Sequence, residues 1–98
     1  MKVRLSAVAR HDLFEIGDYI ASDNRPAARR YVAGLKARCQ ALAKFPKQCP
    51  ACSELGANIR RGSFRSHDIY YSISDGVVII ERIIHSMRDN QQITFPRS

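Results

Sequence analysis

The stretch IYYSISDGVVIIERIIHSMRD, Ile69–Asp89, decides the fold. Ile69, Tyr71 and Ile73 alternate with Tyr70, Ser72 and Ser74, the period of two that a strand imposes. Asp75-Gly76 follows, and Gly76 supplies the positive φ of a tight hairpin turn. The return arm, Val77–Ile84, reads VVIIERII. Strict alternation puts Val78, Ile80 and Ile84 on one face and Val77, Ile79 and Ile83 on the other. A strand apolar on both faces belongs in the middle of a sheet that is covered on both sides. Glu81 and Arg82 interrupt it on opposite faces, and a charge there is costly unless it is paired or close to the strand end. Beyond Ile84 the apolar pattern stops at His85-Ser86-Met87-Arg88-Asp89. Polar and basic groups therefore collect at the end of the most buried element.

Upstream, Ala57–Gly62 (ANIRRG) reads as a short strand with Ile59 inward and Arg60 or Arg61 outward. A polar turn at Ser63–His67 joins it to the hairpin. Phe45–Gly56, with Pro46 and Pro50, is a loop. Two helices precede it. Ser6 caps the first, whose buried stripe is Ala9, Leu13, Ile16 and Ile20. Asp12, Glu15 and Asp18 lie away from that stripe and read as solvated carboxylates. Ser22–Pro26 breaks the helix; Asn24 is a good cap for the next one, and Pro26 is tolerated in a first turn. Ala28, Tyr31, Leu35, Cys39 and Leu42 then recur at helical spacing. The second helix ends near Lys44, because Pro46 disfavours helical geometry at Phe45. So short a link makes the helices an antiparallel hairpin. Lys2–Leu5 alternates basic and apolar residues, as a half-buried strand at or next to an edge does. Asn90–Ser98 is either a short extension through Ile93 and Phe95 or loose.

The order is β-α-α-β-β-β, and the class expected is α+β: an antiparallel sheet with a helical hairpin packed on one face. The first strand pairs with one distant in sequence, the last, which leaves Val77–Ile84 central. Residues 1–98 form a single domain.

Sixteen Lys and Arg against nine Asp and Glu give a net charge of +7. That balance favours an anionic partner, nucleic acid or an acidic protein, although solubility alone also accounts for it. Between Asn24 and Ser53 there are seven Lys or Arg and no carboxylate. Two readings of Arg25, Arg29 and Arg30 stay open: neutralisation of the acidic first helix, or a phosphate-binding face. No apolar run reaches the roughly 20 residues that span a membrane, and MKVRLSAVARHDL lacks a signal-peptide core. A cytoplasmic protein is expected. Cys39, Cys49 and Cys52 are an odd count, which argues against a disulfide framework. Cys49-Pro50-Ala51-Cys52 lacks both the βαβ setting of a redox site and the further ligands of a zinc site, so neither metal nor cofactor is expected.

These segments, in this order, resemble the ParE branch of the RelE/ParE toxin superfamily, the toxins of bacterial toxin–antitoxin pairs. LSAVARHDLFEIGDYIASDNRPAARRYV, Leu5–Val32, resembles the family's opening helix pair. LAKFP, Leu42–Pro46, resembles the end of its second helix. ELGANIRRGSFRSHDIYYSI resembles its second and third strands, and VVIIERIIHSMRD, Val77–Asp89, its last strand with an Arg-x-x-His-x-x-Arg-Asp ending. Each motif is weak by itself; their order and spacing over about ninety residues are the specific signal. The chain departs from the pattern at Cys49–Cys52, where relatives commonly carry a glycine after the proline.

The resemblance implies a toxin held inactive by a cognate antitoxin, with a DNA-binding N-terminal domain, whose flexible C-terminal part wraps it. ParE-like toxins poison DNA gyrase; RelE-like toxins cut messenger RNA in the ribosomal A site. The residues must choose between the two. RNA cleavage needs an acid, a base and cations on the phosphate. His85 could be the acid or base, with Arg60, Arg82 and Arg88 as cations. RelE-like nucleases usually place a tyrosine after the last strand, and Ile84–Ser98 contains none. The expectation is therefore a non-enzymatic gyrase poison, with the mRNA endonuclease as the alternative and an inactive binding module as a third reading. Arg60, Arg82, His85 and Arg88 are expected to converge on one target-binding rim, with no sequence-specific contact to nucleic acid. Two simpler readings stand beside it: a strand-end His85 bonded to the backbone, and Arg82 paired with a carboxylate of the first helix. Leu13, Ile16, Ile20, Tyr31 and Leu35 are expected to bind the antitoxin, in an apolar groove bordered by basic residues.

Overall fold

The computed structural model describes residues 1–56 and 58–87. They form β1 (Lys2–Leu5), α1 (Ala7–Ala21), α2 (Arg25–Leu42), a single 3-10 turn at Ser53–Leu55, β2 (Arg60–Phe64), β3 (His67–Ser74) and β4 (Val77–His85). The strand order is β1-β4-β3-β2. As expected, the first strand reaches across the chain to pair with the last, and β4 lies inside the sheet.

The caps are those the sequence encodes. Ser6 accepts a hydrogen bond from the Ala9 amide at 3.0 Å, and Asn24 accepts one from the Ala27 amide at 3.0 Å. Asp75 and Gly76 take φ of 50° and 74°, the two left-handed residues of a tight hairpin turn. The β2–β3 turn is shorter than the polar segment Ser63–His67 suggests. Arg65 adopts φ 52°, so Arg65-Ser66 alone reverses the chain, and Ser63, Phe64 and His67 join the strands.

The class is α+β, with one difference from an all-antiparallel sheet: β1 runs parallel to β4. The contacts explain it. Ser6 bonds the Ile80 and Glu81 carbonyls while Asp12 bonds the Ile83 amide, so α1 climbs alongside β4. Tyr31 meets His67, Arg38 meets Ser63, and Ala43 meets the amino terminus, so α2 descends. Four reversals separate β1 from β4, and an even number restores the starting direction.

Strict alternation along β4 fails at one place. The β3–β4 register shifts between Tyr70 and Tyr71, where Tyr70 opposes Arg82 and Tyr71 opposes Ile80. The extra residue, Glu81, is a bulge that inverts the face of everything after it. Ile83, not Ile84, therefore joins Val78 and Ile80 in the main core under the helices. Ile84 packs on the opposite face with Cys52, Ile59 and Tyr70. Both faces of β4 are thus covered, one by the helical hairpin and the other by the loop before β2. That loop also pairs with the outer edge of the sheet: Ala51 bridges Arg60, and Pro50 accepts from the Arg61 amide at 3.1 Å. Cys49 packs against the helix-side core and Cys52 against the opposite one, so the two thiols of the C-x-x-C pattern serve different faces of the sheet.

Candidate functional site

β1 ends opposite Ile80, which leaves the end of β4 without a strand on the side away from β3. α1 fills that place. Asp12 accepts from Arg82 Nε at 2.8 Å, from Arg82 Nη2 at 3.0 Å and from the Ile83 amide at 3.0 Å. Asp12 is thus not the solvated carboxylate its position off the apolar stripe suggests; it is buried, 9% exposed. Its carboxylate supplies the hydrogen bonds of a missing strand, which periodicity cannot reveal. Arg82 is held in the ion pair that its place in a buried strand required, and the bond to Asp12 stabilises its charged form. Glu81, the bulged residue, accepts from the Ser72 hydroxyl at 2.7 Å.

Next to this clamp lies an open cleft of about 590 Å³ between α1 and the end of the β3–β4 hairpin. Ile16, Ile20 and Ile84 give it apolar walls, and Tyr31, His67 and His85 line it with polar ones. The Tyr31 hydroxyl lies 2.7 Å from His67 Nδ1. The His67 and His85 rings meet edge to face at 5.3 Å, and Tyr31 also packs edge-on against Phe64 at 5.3 Å. Burial pushes the pKa of His67 below the usual histidine value, and the neighbouring His85 pushes it further down. His85 itself is exposed, and its Nδ1 accepts from the Met87 amide at 3.2 Å. His67 escaped the sequence reading because it was placed in a turn. Its strand position opposite His85 was the missing signal.

The four residues expected on one rim do not assemble there. His85 and Arg82 share the end of β4, but Arg82 reaches back to Asp12. Arg60 faces the other way: its guanidinium donates to the Lys47 carbonyl at 3.2 Å and the Cys49 carbonyl at 2.7 Å. Arg88 lies outside the described residues. Tyr70 is buried on the opposite side of the sheet.

A second and larger depression, about 940 Å³, runs between the outer faces of α1 and α2. Leu5, Leu13, Phe14, Gly17, Ala28 and Val32 make it apolar; Arg10, Arg29 and Lys36 border it, with Asp18 as its one carboxylate. The five residues expected to meet a partner divide among three places. Leu13 lines this groove, while Ile16, Ile20 and Tyr31 line the histidine cleft. Leu35 is fully buried beneath the hairpin and faces only a small cavity of about 150 Å³. A Cβ on Gly17 would lie 3.1 Å from Val32, so glycine there lets the helices approach closely along the groove floor.

Fold and surface together define a small α+β domain with two open clefts beside α1 among the described residues. The profile of the ParE toxin of type II toxin–antitoxin systems matches residues 3–90, and the chain belongs to that family. Comparison with curated protein sequences gave no match. Among solved structures, the chromosomal ParDE toxin–antitoxin system from P. aeruginosa is similar in fold, with a TM-score of 0.74 and 17% identity. The likeness covers 87% of this chain and 95% of that one. No helix among the described residues is long and apolar enough to cross a membrane.

Proposed function

We infer that this toxin poisons DNA gyrase by binding, without chemistry of its own, and that a cognate antitoxin neutralises it. The observation that carries the choice of target is the engagement of Arg60 and Arg82. A phosphodiester bond cut beside His85 would need cations on the phosphate. Of the three arginines expected to supply them, Arg60 lies away from His85 on loop carbonyls and Arg82 reaches back to Asp12, while Arg88 lies outside the described residues. Membership of the ParE family supports the same target.

The antitoxin's place is the groove between α1 and α2. Its apolar floor suits a partner's aliphatic and aromatic anchors, and its three bordering cations suit acidic residues between those anchors.

One observation favours the alternative, ribosome-dependent cleavage of messenger RNA. The cleft gathers two imidazoles and a phenol, and His67 with a lowered pKa is a candidate base. A single pair of assays separates the readings. Purified toxin is incubated with gyrase and supercoiled DNA, and in parallel with translating ribosomes. Accumulated cleaved gyrase–DNA complex supports the gyrase reading. Codon-dependent RNA cuts lost in His67→Gln and His85→Ala, with gyrase untouched, replace it with the nuclease. Inactivity in both assays leaves only a binding module.

A further inference from the structure

The chain's charge is divided unevenly. Between Asn24 and His67 there are ten Lys or Arg and one carboxylate, Glu54; the remaining residues carry six cations and eight carboxylates. The positive block is α2, the loop after it and β2, which pack together through Gly34 on Phe64 and Gly62 on Leu42. At its lower end stands Phe45, 65% exposed. Single exposed apolar side chains are ordinary on protein surfaces. What sets Phe45 apart is the loop that presents it.

Every carbonyl from Phe45 to Lys47 in that loop has a partner. The Gln48 amide donates to Phe45 O at 3.1 Å, the Tyr71 hydroxyl to Pro46 O at 2.5 Å, and Arg60 to Lys47 O at 3.2 Å. Pro46 itself is buried, and Tyr71 is a fully buried core residue, so the loop is bolted to the interior of the sheet. Lys44 and Lys47 are exposed on either side of Phe45. Arg60 is fixed by the loop carbonyls, and Arg38 donates its Nε to the Ser63 carbonyl at 2.9 Å. Burial pushes the Tyr71 hydroxyl well above the usual phenol range, and the nearby Arg60 and Arg38 guanidinium groups offset only part of that. An exposed aromatic ring on a loop whose backbone is hydrogen-bonded to the sheet, flanked in sequence by two exposed lysines, is the pattern of a stacking platform beside a phosphate track.

We propose that the Phe45 loop, braced by Arg60, binds through Phe45, Lys44, Lys47 and Arg38 to DNA whose bases are unstacked, as at an opened or broken duplex. The cations hold successive phosphates without reading sequence. The Phe45 ring stacks on an exposed base. An acidic protein segment would use the same cations but has no base to lay on the ring. The choice of DNA over RNA rests on the gyrase reading, because gyrase holds a cleaved duplex.

The test is fluorescence anisotropy with the whole chain and a labelled oligothymidylate, against the matching duplex, oligouridylate and polyglutamate. The expected result is salt-dependent binding that is tightest for oligothymidylate. Phe45→Ala should weaken it about tenfold while Phe45→Tyr keeps it, and Lys44→Gln with Lys47→Gln should lower the salt slope by about 1.4. The side chains exchanged are exposed, and thermal unfolding of each variant checks that the fold is kept. Polyglutamate competing as well as DNA, with Phe45→Ala without effect, overturns the proposal in favour of a protein partner. Preference for oligouridylate overturns it in favour of RNA, and absence of binding at low salt overturns it outright. Gyrase takes no part in this assay. Oligothymidylate binding without poisoned gyrase would sink only the target reading, and poisoned gyrase without oligothymidylate binding only this one.

Discussion

Asp12→Ala tests how the end of β4 is held. The substitution removes three hydrogen bonds at once, two from Arg82 and one from the Ile83 amide. Ile83 is buried, and on the side of β4 away from β3 no strand reaches it to offer another acceptor. An unpaired buried amide costs about 1–3 kcal/mol. Removing one partner of a buried ion pair costs about 3–5 kcal/mol, because the other charge stays behind. The Arg82 side chain is 14% exposed, so water relieves part of its loss and the lower end of that range applies. A total of at least about 4 kcal/mol is a large share of the roughly 5–15 kcal/mol that stabilises a domain of this size. It corresponds to a fall in Tm of at least roughly 16 °C. Urea unfolding followed by circular dichroism measures it. Asp12→Asn, which keeps an acceptor for the Ile83 amide, should lose less than Asp12→Ala. Arg82→Met in the Asp12→Ala background should restore more than half of the loss, since the stranded charge is then gone. A loss below about 1 kcal/mol for Asp12→Ala, or a double variant no better than the single, would refute the reasoning and make the pair a surface ornament.

Arg29→Glu combined with Lys36→Glu should weaken antitoxin binding, chiefly by slowing association, and leave thermal stability nearly unchanged, because both side chains are exposed at the groove rim; surface plasmon resonance at two salt concentrations reads this. Burial lowers the pKa of His67, so the unfolded chain takes up its proton first on acidification. The stability tied to neutral His67 is complete above the unfolded pKa near 6.5 and is lost as pH falls towards the lower folded value; His67→Phe should flatten that part of a urea-midpoint profile between about pH 7.5 and 5. Thiol labelling at pH 8 should modify Cys49 first, since burial pushes Cys39 up to about 11 and raises Cys52 as well; prompt labelling of Cys39 in the folded protein would contradict its place in the core.

Much of the architecture was legible because it depends on local pattern. Period-two alternation located β3 and β4, Asp75-Gly76 located their turn, and Ser6 and Asn24 located both helix starts. The doubly apolar arm Val77–Ile84 also required a partner strand on its far side and cover on both faces, and it has both. The groove bordered by cations followed from two amphipathic helices in a chain of net charge +7. The tertiary structure alone decided the rest, and each case has the same physical origin. The bulge at Glu81 inverts Ile83 and Ile84 because a strand's register is set by its neighbours, not by its own sequence. Asp12 is buried because an unpaired edge of β4 needs an acceptor, a demand that arises 71 residues away. Arg60 turns from the expected rim to the Phe45–Cys49 loop, where the Lys47 and Cys49 carbonyls accept its guanidinium. His67 meets His85 and Tyr31 only through strand pairing and helix docking. Side-chain chemistry is written residue by residue, but which charges neutralise one another is settled by contacts between distant segments, and those form only when the whole core does.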